Sequence, residues 1–385
     1  MGERSLYILV LSVVALLGLG IVMLLSTSVF IADRADIYHD VNRQVVWLVL
    51  GVAACAVCAA IDYRFWQRWR WAIFGVACAL LALCFLPVIG ERVNGSARWV
   101  SLRDFGLESI RLQPSELAKL AVVFVLAGWL AKCGDRVREI GRGFLLPFAI
   151  ALVPIGLIAI ETDMGTAVLL TAAVIVLLFV AGCRWWLVAG SGVAAAGVLA
   201  LAVLNNPNRF ERVLAFLDLE AHQMNLGLQQ WRGLLALGEG GLFGLGLGQG
   251  REKLMHLPYA HTDFIFPMIG EELGAVTSIA VLLAFGLVLV FGLSIARSAP
   301  DTFGKLLGIG IVVLISLQAV LNIGVTTAVL PNKGLPLPFV SYGGSNLLFN
   351  LIGIGILLNI YRQGQAPEDD GTGGLFRRCR AVPRV

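Results

Sequence analysis

The stretch HLPYAHTDFIFPMIGEEL, residues 256–273, gathers two histidines, an aspartate and two glutamates at the start of an apolar run. Carboxylates and imidazoles are the side chains that exchange protons during catalysis near neutral pH. Asp263 stands where a polar segment turns apolar, so its carboxylate is placed to act as a general base at a membrane surface. The same residue, or Thr262, can instead cap the following helix and spend its oxygens on backbone N–H groups. His256, His261 and Asp263 are spaced i, i+5, i+7, which is no established metal-ligand pattern. On a regular helix Glu271 and Glu272 would lie about 12–14 Å below Asp263. Neighbouring helical residues diverge by about 100°, so one glutamate can support a site at Asp263 while the other holds an adjacent helix. Pro267 is expected to kink the run.

Further ionisable residues interrupt other apolar runs. Glu116 and Lys119 in QPSELAKL are i, i+3 and can pair on one helix face. A charge deep in lipid costs at least about 2.5–3.5 kcal/mol, so the pair faces protein or a wet cavity, as part of a site or as a structural ion pair. Asp163, in ETDMGT, can serve a site or cap the run that follows. In PFVSYGGS, Ser341 and Ser345 can touch a substrate or satisfy backbone groups freed by Pro338 and the glycine pair.

These residues are set in a chain of 385 residues that is 58% hydrophobic and 14% charged. The expected fold is an all-α polytopic membrane protein. Runs long enough to span lie at about 6–30, 45–61, 71–89, 114–132, 144–161, 164–182, 185–204, 264–296, 303–330 and 344–361, ten in all. The connections that hold Arg64, Arg68 and Arg70, then Lys132, Arg136, Arg138 and Arg142, then Arg184, then Arg297 and Lys305 share one side with Arg362 if there are ten spans. That side is cytoplasmic by the positive-inside rule, with both termini there. The first span is too long, and lacks a small-residue cleavage site, to be a removed signal peptide.

The long connections fall on the outer side, the longest at about 205–262 between the seventh and eighth spans. All four histidines lie there, and none of the seven cysteines does, which excludes an extracellular disulfide framework. The glycine-rich GEGGLFGLGLGQG, 238–250, lacks phosphate-loop spacing. It reads as a flexible interfacial segment or as bare backbone that approaches a lipid-linked substrate. The outer segments also keep Arg92, Arg98, Arg103 and Arg111, and then Arg209, Arg212, Arg232, Arg251 and Lys253. Basic residues held there against the usual trend fit an anionic ligand, or else pair with nearby acids and lipid headgroups.

HTDFIFPMIGEELG (261–274), LPLPFVSYGGSNLL (335–348), NGSARW (94–99), QPSELAKL (113–120) and TDMGTA (162–167) together resemble the conserved blocks of the SEDS family (shape, elongation, division and sporulation), in matching order. The resemblance implies a single SEDS-type transmembrane domain over 1–362, in the bacterial cytoplasmic membrane. It implies a peptidoglycan glycosyltransferase that polymerises lipid II, an undecaprenyl-pyrophosphate disaccharide-peptide, with a class B penicillin-binding protein as partner. LPNKGLPLPFVSYGGS (330–345) and NGSARW lean toward the FtsW-like branch over the RodA-like one. The essential loop aspartate of the family corresponds to Asp263. The chain departs from the family before Asp163, where a Pro is usual and this sequence reads Glu161-Thr162-Asp163, and at Tyr259, where Glu is frequent.

An inverting displacement of a pyrophosphate needs a base for the acceptor hydroxyl and positive charge for the leaving group. Asp263 is the expected base, and Arg98, Lys119 and Lys333 the expected pyrophosphate holders, with Glu116, Ser341 and Ser345 beside them. Asp163, His261, Glu271 and Glu272 are the expected supports. No cofactor is demanded, although a Mg or Mn ion could ride on the pyrophosphate. Two other classes fit the same spans: a lipid II flippase, and a scaffold that recruits a synthase. Nothing points to nucleic acid. Residues 363–385 read as a disordered cytoplasmic tail whose basic end can touch anionic membrane lipid.

Overall fold

A computed structural model describes residues 2–28, 38–85, 90–93, 96–101, 111–252 and 262–365. In lipid every backbone polar group must find its partner within the chain, and helices do this locally. Each of the ten apolar runs is accordingly a helix: α1 (Gly2–Ser28), α2 (His39–Ala60), α3 (Arg64–Leu83), α4 (Pro114–Cys133), α5 (Leu146–Ile160), α6 (Met164–Val180), α7 (Trp185–Leu204), α10 (Ile265–Arg297), α11 (Thr302–Thr326) and α12 (Gly344–Gln365). Eight of these are long and apolar enough to cross a membrane, α5 by virtue of the π-helical turn Ile140–Leu145 that leads into it. The exceptions are α3 and the 17-residue α6. Helix α3 starts earlier than the apolar run because the Arg64–Arg70 segment is itself helical, and those arginines and tryptophans dilute its apolar character. The tail beyond Gln365 lies outside the described residues.

Helices α4, α11 and α12 are buried along most of their length and form the centre, while α7 is almost wholly exposed. Small residues allow the close approaches: Gly308 and Gly310 of α11 meet Ala296 and Val123, and Gly355 of α12 meets the backbone of Cys55. The tight turn expected after α5 is present. Thr162 takes φ 66, and Asp163 caps α6.

Two of the long connecting segments carry more order than the sequence announced. The 90–113 segment forms an antiparallel sheet of β1 (Gly90–Val93), β2 (Ser96–Ser101) and β3 (Arg111–Leu112), in the order β1-β2-β3. The 205–262 segment contains α8 (Pro207–Leu217) and α9 (Leu228–Glu239), the second packed on α10.

The glycine-rich run is a strap on α10. Leu245 and Gly246 donate their N–H groups to the Glu271 and Glu272 carbonyls at 2.9 and 3.0 Å, and Ala275 donates to the Gly241 carbonyl at 2.9 Å. Its bare backbone therefore approaches a helix. The strap grips α10 where the helix is broken, at Gly274 with φ 81 and ψ 177, a conformation side-chain-bearing residues rarely adopt. The expected kink at Pro267 is absent because that proline lies in the first turn, where its missing N–H has no intrahelical partner to lose.

Candidate active site

Asp263 lies two residues before α10. The N-cap is Phe264, and no side chain caps the helix, so the Asp263 carboxylate is not spent on the helix end. Its backbone is fastened on both sides. Asn322 of α11 donates Nδ2–H bonds to the Asp263 carbonyl at 2.8 Å and to the Leu335 carbonyl at 2.6 Å. The Ser341 hydroxyl donates to the Thr262 carbonyl and accepts the Leu337 N–H at 2.8 Å. Gly334 passes so close to the carboxylate that a Cβ there would lie 2.5 Å from Asp263 Oδ2.

Asp263 opens onto a cavity of about 580 Å³ whose charged lining among the described residues is Glu116, Asp163, Asp263, Arg209, Arg212 and Lys333. Asp163 is buried there as the cap of α6. It accepts the Thr166 N–H at 3.2 Å, the Thr166 hydroxyl at 2.9 Å and the Gln113 amide at 3.4 Å. The capping role is realised while the residue still borders the cavity. Lys333 borders the cavity beside Gly334, on the same side as Asp263.

Lys119 is a correction. Its Nζ lies 2.8 Å from Glu116 Oε2 and donates to Gln318 Oε1 at 2.7 Å, with both charges buried. It faces a separate void of about 20 Å³ among α4, α11 and α12, room for about one water. In low dielectric an ammonium takes the nearest carboxylate and amide oxygens, so Lys119 is a bundle pair and not a group that lines the large cavity. Glu116 lines both spaces and also accepts the Asn346 amide at 3.2 Å. Gln318 completes the chain by donating to the Pro336 carbonyl at 2.8 Å.

Ser341 and Ser345 do not line the cavity. Ser341 ties Thr262 to Leu337, and Ser345 accepts the Gln113 N–H at 3.1 Å, so both satisfy backbone groups. Both glutamates of α10 also hold structure. Glu272 accepts the Ser26 hydroxyl of α1 at 2.6 and 2.8 Å and the Gly248 N–H at 3.0 Å. Glu271 accepts the Arg251 N–H and the Glu252 N–H. Arg98 lies on β2 with its side chain outside the described residues, while its neighbour Trp99 borders the cavity. His256 and His261 lie outside the described residues.

The sequence reading missed the amides of α11. Gln318, Asn322 and Thr326 form an i, i+4, i+8 polar row in an otherwise apolar helix, a stripe that marks a face turned toward protein. It also left Arg209 and Arg212 of α8 among the general outer bases, although their i, i+3 spacing after the capping Asn206 puts them on one helical face.

A sequence profile of the cell cycle protein family of FtsW, RodA and SpoVE matches residues 6–366. The probable peptidoglycan glycosyltransferase FtsW of Trichlorobacter lovleyi is 41% identical over 357 residues, 92% of each chain. Stage V sporulation protein E of Bacillus subtilis is 35% identical, over 92% of this chain and 96% of that one. Among solved structures, a chain from work on how a peptidoglycan synthase complex coordinates polymerization and crosslinking superposes with a TM-score of 0.77 at 29% identity, covering 93% of this chain and 98% of that one. The rod shape determining protein RodA of Thermus thermophilus superposes with a TM-score of 0.67 at 29% identity, covering 93% and 96%. Matched by the profile over nearly its whole length and similar to these relatives end to end, the chain belongs to the FtsW, RodA and SpoVE family of cell cycle proteins.

Proposed function

We propose that the protein is a peptidoglycan glycosyltransferase that polymerises lipid II at the outer face of the bacterial cytoplasmic membrane, with Asp263 as general base. The observation that carries this reading is the held but uncapped Asp263 on the wall of a cavity of about 580 Å³. Relatives near 40% identity bear the name probable peptidoglycan glycosyltransferase FtsW, which favours a division enzyme over an elongation one.

In the reaction the acceptor hydroxyl oxygen bonds to the donor's anomeric carbon. The bond from that carbon to the pyrophosphate oxygen breaks, and its electron pair leaves with the pyrophosphate. The hydroxyl proton passes to the Asp263 carboxylate. Asn322 and Ser341 hold the backbone around that carboxylate, so its position is set before substrate arrives. Among the described residues Glu116 is engaged by Lys119 and Asn346, and Asp163 by Thr166. A Mg or Mn ion would arrive on the pyrophosphate itself. A class B penicillin-binding protein is the proposed partner, in line with a structural neighbour that comes from a peptidoglycan synthase complex.

The test is Asp263→Asn in purified protein with its partner, with glycan strands from lipid II resolved on gels. Asparagine keeps shape but accepts no proton at neutral pH, so polymer should fall by about 10²–10⁴-fold while membrane accumulation and partner binding persist. An equally active variant refutes the base. A wild type that moves lipid II across vesicles without making polymer supports a flippase instead.

A further inference from the structure

An inverting displacement places two requirements on opposite sides of the reacting sugar. The base must stand beside the incoming hydroxyl, and the positive charge that receives the leaving pyrophosphate must stand behind the anomeric carbon. Gly334 abuts the Asp263 carboxylate, so the adjoining Lys333 belongs to the base's side. Lys119 is consumed by Glu116 and Gln318. Among the described residues, the remaining cations on the cavity are Arg209 and Arg212.

Both arginines are on α8, which packs mainly against α7, and they line the same cavity as Asp263. Asn206 caps the helix by accepting the Arg209 N–H at 3.3 Å. Arg209 makes a 3.5 Å contact with the Ala202 carbonyl. Among the described residues neither arginine has a carboxylate within ion-pair distance. The other face of α8 presents Phe210, Leu214 and Leu217, all exposed, at i, i+4, i+7. Such a helix lies in the interface plane, with its apolar stripe in the acyl boundary and its basic face at headgroup height. A polyprenyl pyrophosphate has the matching form, an apolar chain in the bilayer joined to a dianionic head at its surface.

We infer that Arg209 and Arg212 of α8 bind the leaving pyrophosphate of the lipid-linked sugar donor. The inference rests on the glycosyltransferase reading above. Two guanidinium forks match phosphate oxygens pairwise and offset the charge that develops as the pyrophosphate departs. After transfer the same arginines hold undecaprenyl pyrophosphate, so this product competes with the incoming donor at α8.

The experiment measures binding of undecaprenyl pyrophosphate to the full chain in phosphatidylcholine nanodiscs, and its inhibition of lipid II polymerisation by the chain with its partner. For Arg209→Gln/Arg212→Gln, both affinities should fall by tenfold or more. The Arg209→Lys/Arg212→Lys variant should recover part of the loss, since it restores charge without the fork. Phosphatidylglycerol added to the discs should not displace the probe from the wild type. Unchanged probe affinity in the glutamine variant overturns the inference. So does displacement by phosphatidylglycerol at equal concentration, which would mark α8 as a reader of ordinary anionic headgroups. A wild type that binds the probe through the arginines but makes no polymer removes the glycosyltransferase reading and leaves a polyprenyl-pyrophosphate site.

Discussion

Asn322→Ala removes one amide that serves two carbonyls, those of Asp263 and Leu335, at 2.8 and 2.6 Å. A neutral hydrogen bond contributes about 0.5–1.5 kcal/mol net, so the aligned position of Asp263 loses about 1–3 kcal/mol of support. The Asp263 carbonyl is near a wet cavity and can take water, whereas Leu335 is buried, so the middle of that range applies. At about 2 kcal/mol the aligned population falls by about 30-fold once misaligned states compete. The turnover of lipid II by purified protein and partner should drop by that order, with KM little changed. Asn322→Asp should be worse, because it turns a carboxylate toward two carbonyl oxygens. Thr326→Ala, one turn along the same face, loses only bonds to its own helix at 3.0 and 3.1 Å and should stay close to wild-type turnover. If Asn322→Ala accumulates normally and keeps full turnover, the α11 amide does not position Asp263.

Gly334→Ala puts a methyl against Asp263 Oδ2 and should cut polymerisation about tenfold or more, read on gels, with normal membrane accumulation. Lys119→Ala strands Glu116 in the bundle and should cost about 3–5 kcal/mol of stability, seen as lost accumulation, whereas Lys119→Met with Glu116→Gln should recover much of it. Gly344→Ala collides with the Trp47 ring, while a Cβ on Gly343 meets only Asn346 Cβ at 3.7 Å; thermal-shift assays in detergent should show a loss of about 1–3 kcal/mol for the first and little change for the second.

The spans were legible because lipid imposes one solution on apolar runs of that length, and each run became a helix. Asp263 stood out as a carboxylate at a span boundary and through the blocks around it. What local reading could not supply was direction. Glu116 and Lys119 are the same i, i+3 pair whether they face the cavity or the bundle, and only the packing of α11 and α12 decides. The α10 glutamates were legible as supports, yet their partners, Ser26 and the N–H groups of 248–252, come from other parts of the chain. The glycine run carried no helical or strand period, so its contact with α10 was invisible until both were in place.

The break at Gly274 divides α10 into two rods that share a joint. A continuous helix transmits tilt from end to end, but an interrupted i→i−4 ladder bends at the gap. The outer rod, Ile265–Leu273, is lashed by the strap, by Ser26 and by the 251–252 turn. The inner rod, with Val276, Ile279 and Leu283 exposed, begins under the same strap, since Ala275 and Val276 donate their N–H groups to the Gly241 and Leu242 carbonyls at 2.9 and 3.2 Å. The strap thus splices the two rods, and its carbonyls replace the ladder partners that the break removes.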